Sequence, residues 1–348
     1  MEAVTVRGRN VLRTLAVLTA IAVYGQIVLG SVVRITGSGL GCPDWPLCYG
    51  RVVPKLEYHT LIEYFHRLLG SVGGALVLAT FITAWTVSRL AARRRERDPG
   101  GDGWVPPRGV VRLAVGLLLL YGLQGVLGGI TVLMRNSPFT VAIHLGNAEL
   151  VLAAAAALAL WTLRLGGADD AAAAADDPAA ARVTPATTVE PGLVRLLAAA
   201  AVGTYLIVVS GAYVVDRGGG GACRSWPLCG APRSALADVH MLHRVVVGLG
   251  GALLLAALAG AWRRWRGGGM GSVVALTAVA LLLEVGVGAA QVLLSLPPWL
   301  RALHVALASA IWAGVALQLA AALLELRRPP EPASPARAAA WRGAEAGA

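Results

Sequence analysis

Apolar residues run in long stretches along this chain, separated by short segments where arginine, glycine and proline gather. Stretches near 14–34, 61–88, 110–133, 139–163, 193–215, 238–261, 271–295 and 300–325 each suffice to cross a hydrocarbon layer of ~30 Å, which takes about 20 residues as helix. Lipid leaves backbone amides no partner outside the segment, so runs of this kind predict helices that satisfy themselves. The expected fold class is an all-α polytopic membrane protein with eight transmembrane helices. The first run is longer than the apolar part of a secretory signal and no small-residue cleavage site follows it, so it is expected to stay as a span.

The pattern repeats. His-Arg-Leu-Leu-Gly-Ser-Val-Gly-Gly-Ala-Leu-Val-Leu-Ala at 66–79 is echoed by His-Arg-Val-Val-Val-Gly-Leu-Gly-Gly-Ala-Leu-Leu-Leu-Ala at 243–256. Cys-Pro-Asp-Trp-Pro-Leu-Cys at 42–48 is echoed by Cys-Arg-Ser-Trp-Pro-Leu-Cys at 223–229, and Gln124, Gly128, Val132 and His144 align with Glu284, Gly288, Val292 and His304. Each half therefore carries four spans. An even number makes the halves run the same way through the membrane, related by an axis along its normal. Two pseudo-symmetric four-helix bundles are expected: residues 1–165 and 192–326. Between them, the Ala/Asp-rich segment 166–191 with Pro178, Pro185 and Pro191 reads as a disordered linker, and 327–348 as a disordered tail.

Composition narrows the function classes. Hydrophobic residues make up 57% of the 348 and charged residues 14%, too little polar surface for a soluble globule and too apolar for disorder. A net charge of +11 suggests nucleic-acid binding only until the charges are located. Twenty of the thirty basic residues flank one set of span ends, from Arg7 and Arg13 to Arg327 and Arg342. Eight lie in the opposite loops, among them Arg34, Arg51, Lys55, Arg135 and Arg301. This is the positive-inside pattern, which puts both termini in the cytoplasm and the cysteine loops outside it.

Four of the six histidines, His66, His144, His243 and His304, lie a few residues inside the outer end of an even-numbered span. One such residue is explained by a hydrogen bond across the bundle. Two per half at one depth, on alternate helices, are what bis-His ligation of a heme iron needs. A tetrahedral zinc site would stay incomplete. Gly73, Gly74, Gly250 and Gly251 serve either to admit a flat macrocycle or to bring helices close. Arg67 and Arg244, which follow the first histidine of each pair, serve either heme propionates or the lipid headgroups.

The halves differ at one place. Glu63 precedes His66 by three residues, where the second half has His240 before His243. Residues i and i+3 share a helix face, so one half sets a carboxylate beside its histidine pair. Chemistry is expected in the first half and a permanent cofactor in the second. Glu149 and Glu284 also fall within spans without legible partners, and His59 at a loop edge receives no role. The two Cys-x5-Cys pairs, Cys42 with Cys48 and Cys223 with Cys229, face an oxidising compartment where disulfides form, either as staples of the loops or as a redox-active pair.

Together these residues resemble the heme A synthase family. The matching motifs are Thr36-Gly37-Ser38-Gly39 leading into Cys42 and Trp45-Pro46-Leu47-Cys48, then Glu63-Tyr64-Phe65-His66-Arg67, His144-Leu145-Gly146, and His243-Arg244 with His304. The likeness covers residues 10–326. It implies an oxidoreductase that converts heme O to heme A for terminal cytochrome oxidase, turning the C8 methyl into a formyl group by successive hydroxylations and loss of water. It also implies that His66 and His144 ligate the substrate heme, that His243 and His304 ligate a resident heme b, and that Glu63 is the catalytic carboxylate. Each cysteine pair matches a loop disulfide. Heme O synthase and cytochrome oxidase assembly factors are the implied partners. A b-type cytochrome that only carries electrons is the competing reading; it accounts for the histidines and leaves Glu63 unexplained. A disulfide or quinone oxidoreductase working through the outer cysteines leaves the buried histidines without a use.

Overall fold

A computed structural model describes residues 2–97, 106–164, 189–230 and 234–326. Within them are α1 (Glu2–Ile35), α2 (Tyr58–Arg97), α3 (Arg108–Leu133), α4 (Pro138–Arg164), α5 (Pro191–Asp216), α6 (Ala235–Trp265), α7 (Gly269–Leu293) and α8 (Pro298–Leu326). All eight contain a stretch long and apolar enough to cross a membrane. The chain is a multi-pass, all-helical membrane protein. The expected linker, apart from its last residues 189–191, and the tail at 327–348 lie outside the described residues.

The helices differ from the hydropathy stretches mainly at α1 and α2. Apolar content alone starts α1 at 14 and stops α2 at 88, whereas the helices reach Glu2 and Arg97. Ala, Arg and Glu are strong helix formers, so the backbone stays helical after the hydrophobic run ends. At 40 residues α2 is about 60 Å long, well beyond a bilayer core. The stretch ending at 295 stops instead at Leu293, because Ser295 and Leu296 take left-handed backbone angles (φ 60° and 62°). The corresponding turn after α3 does the same at Arg135 and Asn136 (φ 51° and 57°). In both turns an amide reaches back five residues, Asn136 to the Thr131 carbonyl at 2.8 Å and Leu296 to that of Gln291 at 2.6 Å, closing the helix end.

In the first half α1 packs on α2 and α4, and α3 on the same two helices; in the second, α5 and α7 each pack on α6 and α8. The halves meet where α4 lies against α5 and α8, with α1 also touching α8. Consequently α4 and α8 are the most buried spans. Ala155, Ala156 and Ala159 on α4, with Ala316, Ala321 and Ala322 on α8, are small enough to let helices approach closely. Leucine, valine and isoleucine stand exposed on the outer helices, among them Ile21 of α1, Leu119 of α3, Leu249 of α6 and Leu282 of α7. That outside is what a hydrocarbon surrounding requires.

Polar bonds cross the seam at three levels. Near the cysteine loops Arg34 pairs with Asp216. In the middle, fully buried Glu149 accepts from Ser309 Oγ at 2.7 Å, and its carbonyl accepts from Trp312 Nε1 at 2.7 Å. At the far end Glu325 pairs across the seam with Arg164 (3.5 Å) and, within its own half, with Arg264 (2.8 Å) and Trp265 Nε1 (3.0 Å). Glu149 and Ser309 each lie five residues beyond a histidine, His144 and His304. The carboxylate and the hydroxyl thus tie together α4 and α8, two of the four histidine-bearing helices. Ser309→Ala leaves Glu149 buried without that donor, which costs about 1–3 kcal/mol. The expected result is a lower thermal midpoint in detergent than wild type, with unchanged helicity by circular dichroism; an unchanged midpoint refutes the bond's contribution.

Candidate functional site

Each of the four histidines lies on an even-numbered helix with its ring against a glycine of the preceding helix. A methyl placed on Gly30 comes 3.0 Å from His66 Cε1, and on Gly128 3.2 Å from His144 Cε1. In the second half the distances are 3.1 Å from Gly211 to His243 and 3.5 Å from Gly288 to His304. At Gly30, Gly128 and Gly211 a methyl would make the ring give way by a few tenths of an ångström, whereas at Gly288 it would just touch the ring. In each half the two histidine-bearing helices both pack on the two helices that carry the glycines. One such pair of histidines stands in each half.

The residues fit a heme held by two imidazoles. The glycine beneath each ring fixes its position. The Nδ1 atoms of His66, His144 and His304 are buried without a hydrogen-bond partner, as are Arg244 Nη2 and Glu284 Oε2. Among the four glycines singled out from sequence, two are packing contacts. Gly73 lies against the Tyr121 ring, whose hydroxyl donates to the Gly70 carbonyl at 2.6 Å, and Gly250 lies against Gly203 and Ile207. Gly74 meets the Tyr121 ring at 3.4 Å, and Gly251 faces open space.

The arginines after His66 and His243 share one job, which is to fasten the cysteine loops. Arg67 donates to the carbonyls of Asp44 and Leu47 through Nη1 (2.7 Å each) and of Cys42 through Nη2 (2.8 Å). Arg244 donates to those of Ser225 (2.8 Å) and Pro227 (2.9 Å). Both disulfides, Cys42–Cys48 and Cys223–Cys229, are formed, with Cα atoms 4.7 and 5.0 Å apart. Trp45–Pro46 and Trp226–Pro227 are both cis, and Trp45 covers Gly129 of α3.

Here the halves part. Glu63, 3% exposed, accepts from the Cys42 amide at 2.9 Å and from Arg67 Nη2 at 2.6 Å. In the second half His240 stands in that place with Nδ1 3.2 Å from the Gly219 carbonyl, so Arg244 Nη2 is left buried and unpaired. Arg67 therefore has its guanidinium committed to the loop and to Glu63, while Arg244 keeps one donor for an anionic group. His59, given no role from sequence, bonds Ser38 Oγ at 2.9 Å and so ties α2 to the loop entry. Asp44 closes the first loop by accepting from the amides of Tyr49 (2.6 Å) and Gly50 (2.7 Å), both at positive φ. The Gly50 amide foremost, then that of Tyr49, holds the Asp44 carboxyl below its ordinary range.

Sequence reasoning aligned Gln124 with Glu284 in the repeat but missed their place beside the rings, and missed Gln26 and Ser210 altogether. Gln26 lies next to His66, Gln124 next to His144, Ser210 next to His243 and Glu284 next to His304. A signal for three of them was present: Gln26, Gln124 and Glu284 each precede a ring-bearing glycine by four residues, one helical turn.

The sequence profile of a family described as "Cytochrome oxidase assembly protein" matches residues 13–60 and 55–316. Curated relatives named heme A synthase include that of Bacillus licheniformis, 29% identical over 261 residues, which cover 73% of this chain and 77% of the relative. That of Symbiobacterium thermophilum is 29% identical over 249 residues (70% and 73%). That of Shouchella clausii is 28% identical over 288 residues (81% and 85%).

Breaking a buried pair by removing one partner costs roughly 3–5 kcal/mol, so Arg67→Met is expected to loosen the first loop. The check is the rate at which dithiothreitol reduces Cys42–Cys48, read by alkylation and mass spectrometry. It should rise for that disulfide and not for Cys223–Cys229; equal rates in variant and wild type refute the fastening role. Asp44 gives a pH counterpart. Because its folded carboxyl is held low, its contribution to the loop is complete above the unfolded value of 3.8 and is lost as pH falls through the lower folded value. Loop ordering followed by Trp45 fluorescence, against Asp44→Asn, is therefore expected to hold at pH 5 and to fail only below pH 3.8; a transition above that value refutes the assignment.

Proposed function

The chain belongs to the family of cytochrome oxidase assembly proteins, and from that premise we propose that it converts heme O to heme A in the membrane. The arrangement of two histidine pairs, with Glu63 one helical turn before His66 where the second half has His240, carries this reading. His66 and His144 hold the substrate heme O in the first half, and the reaction oxidises its C8 methyl group to a formyl group. His243 and His304 hold a resident heme b in the second half, and Arg244 Nη2 is free to take one of its propionates. When bound, heme b would supply a one-electron carrier beside the substrate half.

The chain's own residues divide the remaining work. Oxidising a methyl group takes protons as well as electrons from the carbon, and Glu63 is the carboxylate nearest in sequence to the substrate histidines, one helical turn from His66. Its two oxygens are held by the Cys42 amide and Arg67, so the carboxylate is oriented before substrate arrives, as preorganised electrostatic stabilisation requires. It serves as proton acceptor or as stabiliser of positive charge on the reacting carbon. The disulfide loop, fastened by Arg67, caps this carboxylate and keeps water from reaching it freely. The seam of α4 and α8 brings the two halves into direct packing contact. The positive-inside pattern places both termini in the cytoplasm and the disulfide loops on the other side, with 166–191 as a cytoplasmic linker. Heme O synthase, as the source of substrate, and oxidase assembly factors are the partners this role requires.

Purified protein from a host that makes heme O is expected to yield heme B together with heme O, a hydroxylated intermediate or heme A on extraction and mass spectrometry. Glu63→Gln is expected to abolish heme A while the second half keeps its heme by the reduced-minus-oxidised spectrum. Heme B alone, in the presence of heme O, refutes the synthase reading and favours an electron-carrying cytochrome.

A further inference from the structure

The two histidine pairs sit on similar glycine cradles, but the polar groups beside the rings have opposite hydrogen-bonding sense. In the second half both rings meet acceptors at Nδ1. Ser210 donates its proton to the Ile207 carbonyl (2.9 Å), so its oxygen is free to accept from His243 Nδ1 at 2.8 Å. Glu284 Oε1 lies 2.8 Å from His304 Nδ1, a close contact bent away from the ideal line of a hydrogen bond; an ionised carboxylate is acceptor-only. A neutral imidazole has one N–H and one lone pair. With the N–H drawn to Nδ1, the lone pair stands on Nε2, where a metal takes it.

In the first half the rings meet donors at Nε2. Gln26 Nε2 donates to the His66 carbonyl at 2.9 Å and lies 3.4 Å from His66 Nε2. Gln124 Nε2 donates to the His144 carbonyl at 3.1 Å and lies 3.3 Å from His144 Nε2. Asn147 fixes the Gln124 amide in this orientation by donating to its oxygen at 2.7 Å. The Nδ1 atoms of both rings have no partner. A ligand entering here displaces amide donors from the nitrogen it needs, and finds no acceptor behind the ring to strengthen the bond.

We infer that Ser210 and Glu284 on one side, and Gln26 and Gln124 on the other, decide which half retains its heme and which releases it. They are positioning residues, acting through the ligand imidazoles. The inference rests on the assignment of His66 and His144 to a substrate heme and of His243 and His304 to a resident one. It adds the reason why two similar pairs differ in exchange. Acceptors behind a ligand histidine fix its tautomer and raise its basicity, and losing one costs about 10–100-fold in metal affinity. An enzyme that must let its product go while keeping its cofactor needs this difference.

The test uses the full-length protein loaded with hemin in detergent and chased with apomyoglobin, with the midpoint potential of the retained heme measured in parallel. Wild type is expected to release hemin in two phases, the fast one lost in His66→Ala and the slow one in His243→Ala. Glu284→Gln is expected to speed the slow phase by about tenfold and to raise the retained heme's potential, since a charged partner favours the ferric state. Gln124→Met, which removes the amide donor from the nitrogen the iron needs, is expected to slow the fast phase, and it carries the test alone if Glu284→Gln fails to fold. Both phases and the potential unchanged in the folded variants overturns the inference. Wild type that binds no hemin, or binds it unaffected by either histidine variant, overturns the reading on which it rests.

Discussion

The contact of each histidine ring with a glycine on the neighbouring helix is the constraint on which this site depends. An imidazole inside a membrane span is costly unless its position and partners are settled. The glycines at 30, 128, 211 and 288 settle the position, because no side chain intervenes between ring and helix. They also fix how closely the helices of each bundle approach, and with that where the polar residue one turn earlier meets the ring. Gln26, Gln124 and Glu284 reach their histidines because each lies one turn from such a glycine.

Around this arrangement, ion pairs and disulfides do separate work. Read along the chain, Arg67 and Arg244 serve either propionates or lipid headgroups; in the structure both fasten the disulfide loops, and Arg244 keeps one nitrogen unpaired. What distinguishes them is the residue one turn earlier on the same helix. Glu63 completes the Arg67 guanidinium, whereas His240 leaves an Arg244 nitrogen buried and unpaired. A single difference between the repeats changes the bonding of a carboxylate, an arginine and a loop together.

The seam between the halves follows the same economy. Glu149 and Ser309 occupy equivalent places in the two repeats and bond to one another across it. Neither partner was legible from sequence, because the repeat shows only that the residues correspond. Correspondence becomes contact where α4 and α8 cross. The Arg34–Asp216 pair and the Glu325 cluster close the two ends of that crossing.

The sequence by itself determined the number of spans, the division into two halves, the four histidines, Glu63 and the cysteine pairs. These follow from hydrophobic length and from repetition, which are properties of the chain read in one dimension. Helix ends at α1 and α2 escaped it, since hydropathy marks where lipid is and not where helix propensity stops. The tertiary structure alone decided that Gly73 and Gly250 are packing contacts, that Arg67 serves a loop, and that histidines of like sequence context face donors in one half and acceptors in the other. Those outcomes depend on which helix faces lie together. Hydrogen-bond sense in particular is fixed by a third group, such as Asn147 orienting the amide of Gln124, and no single stretch of sequence contains all three.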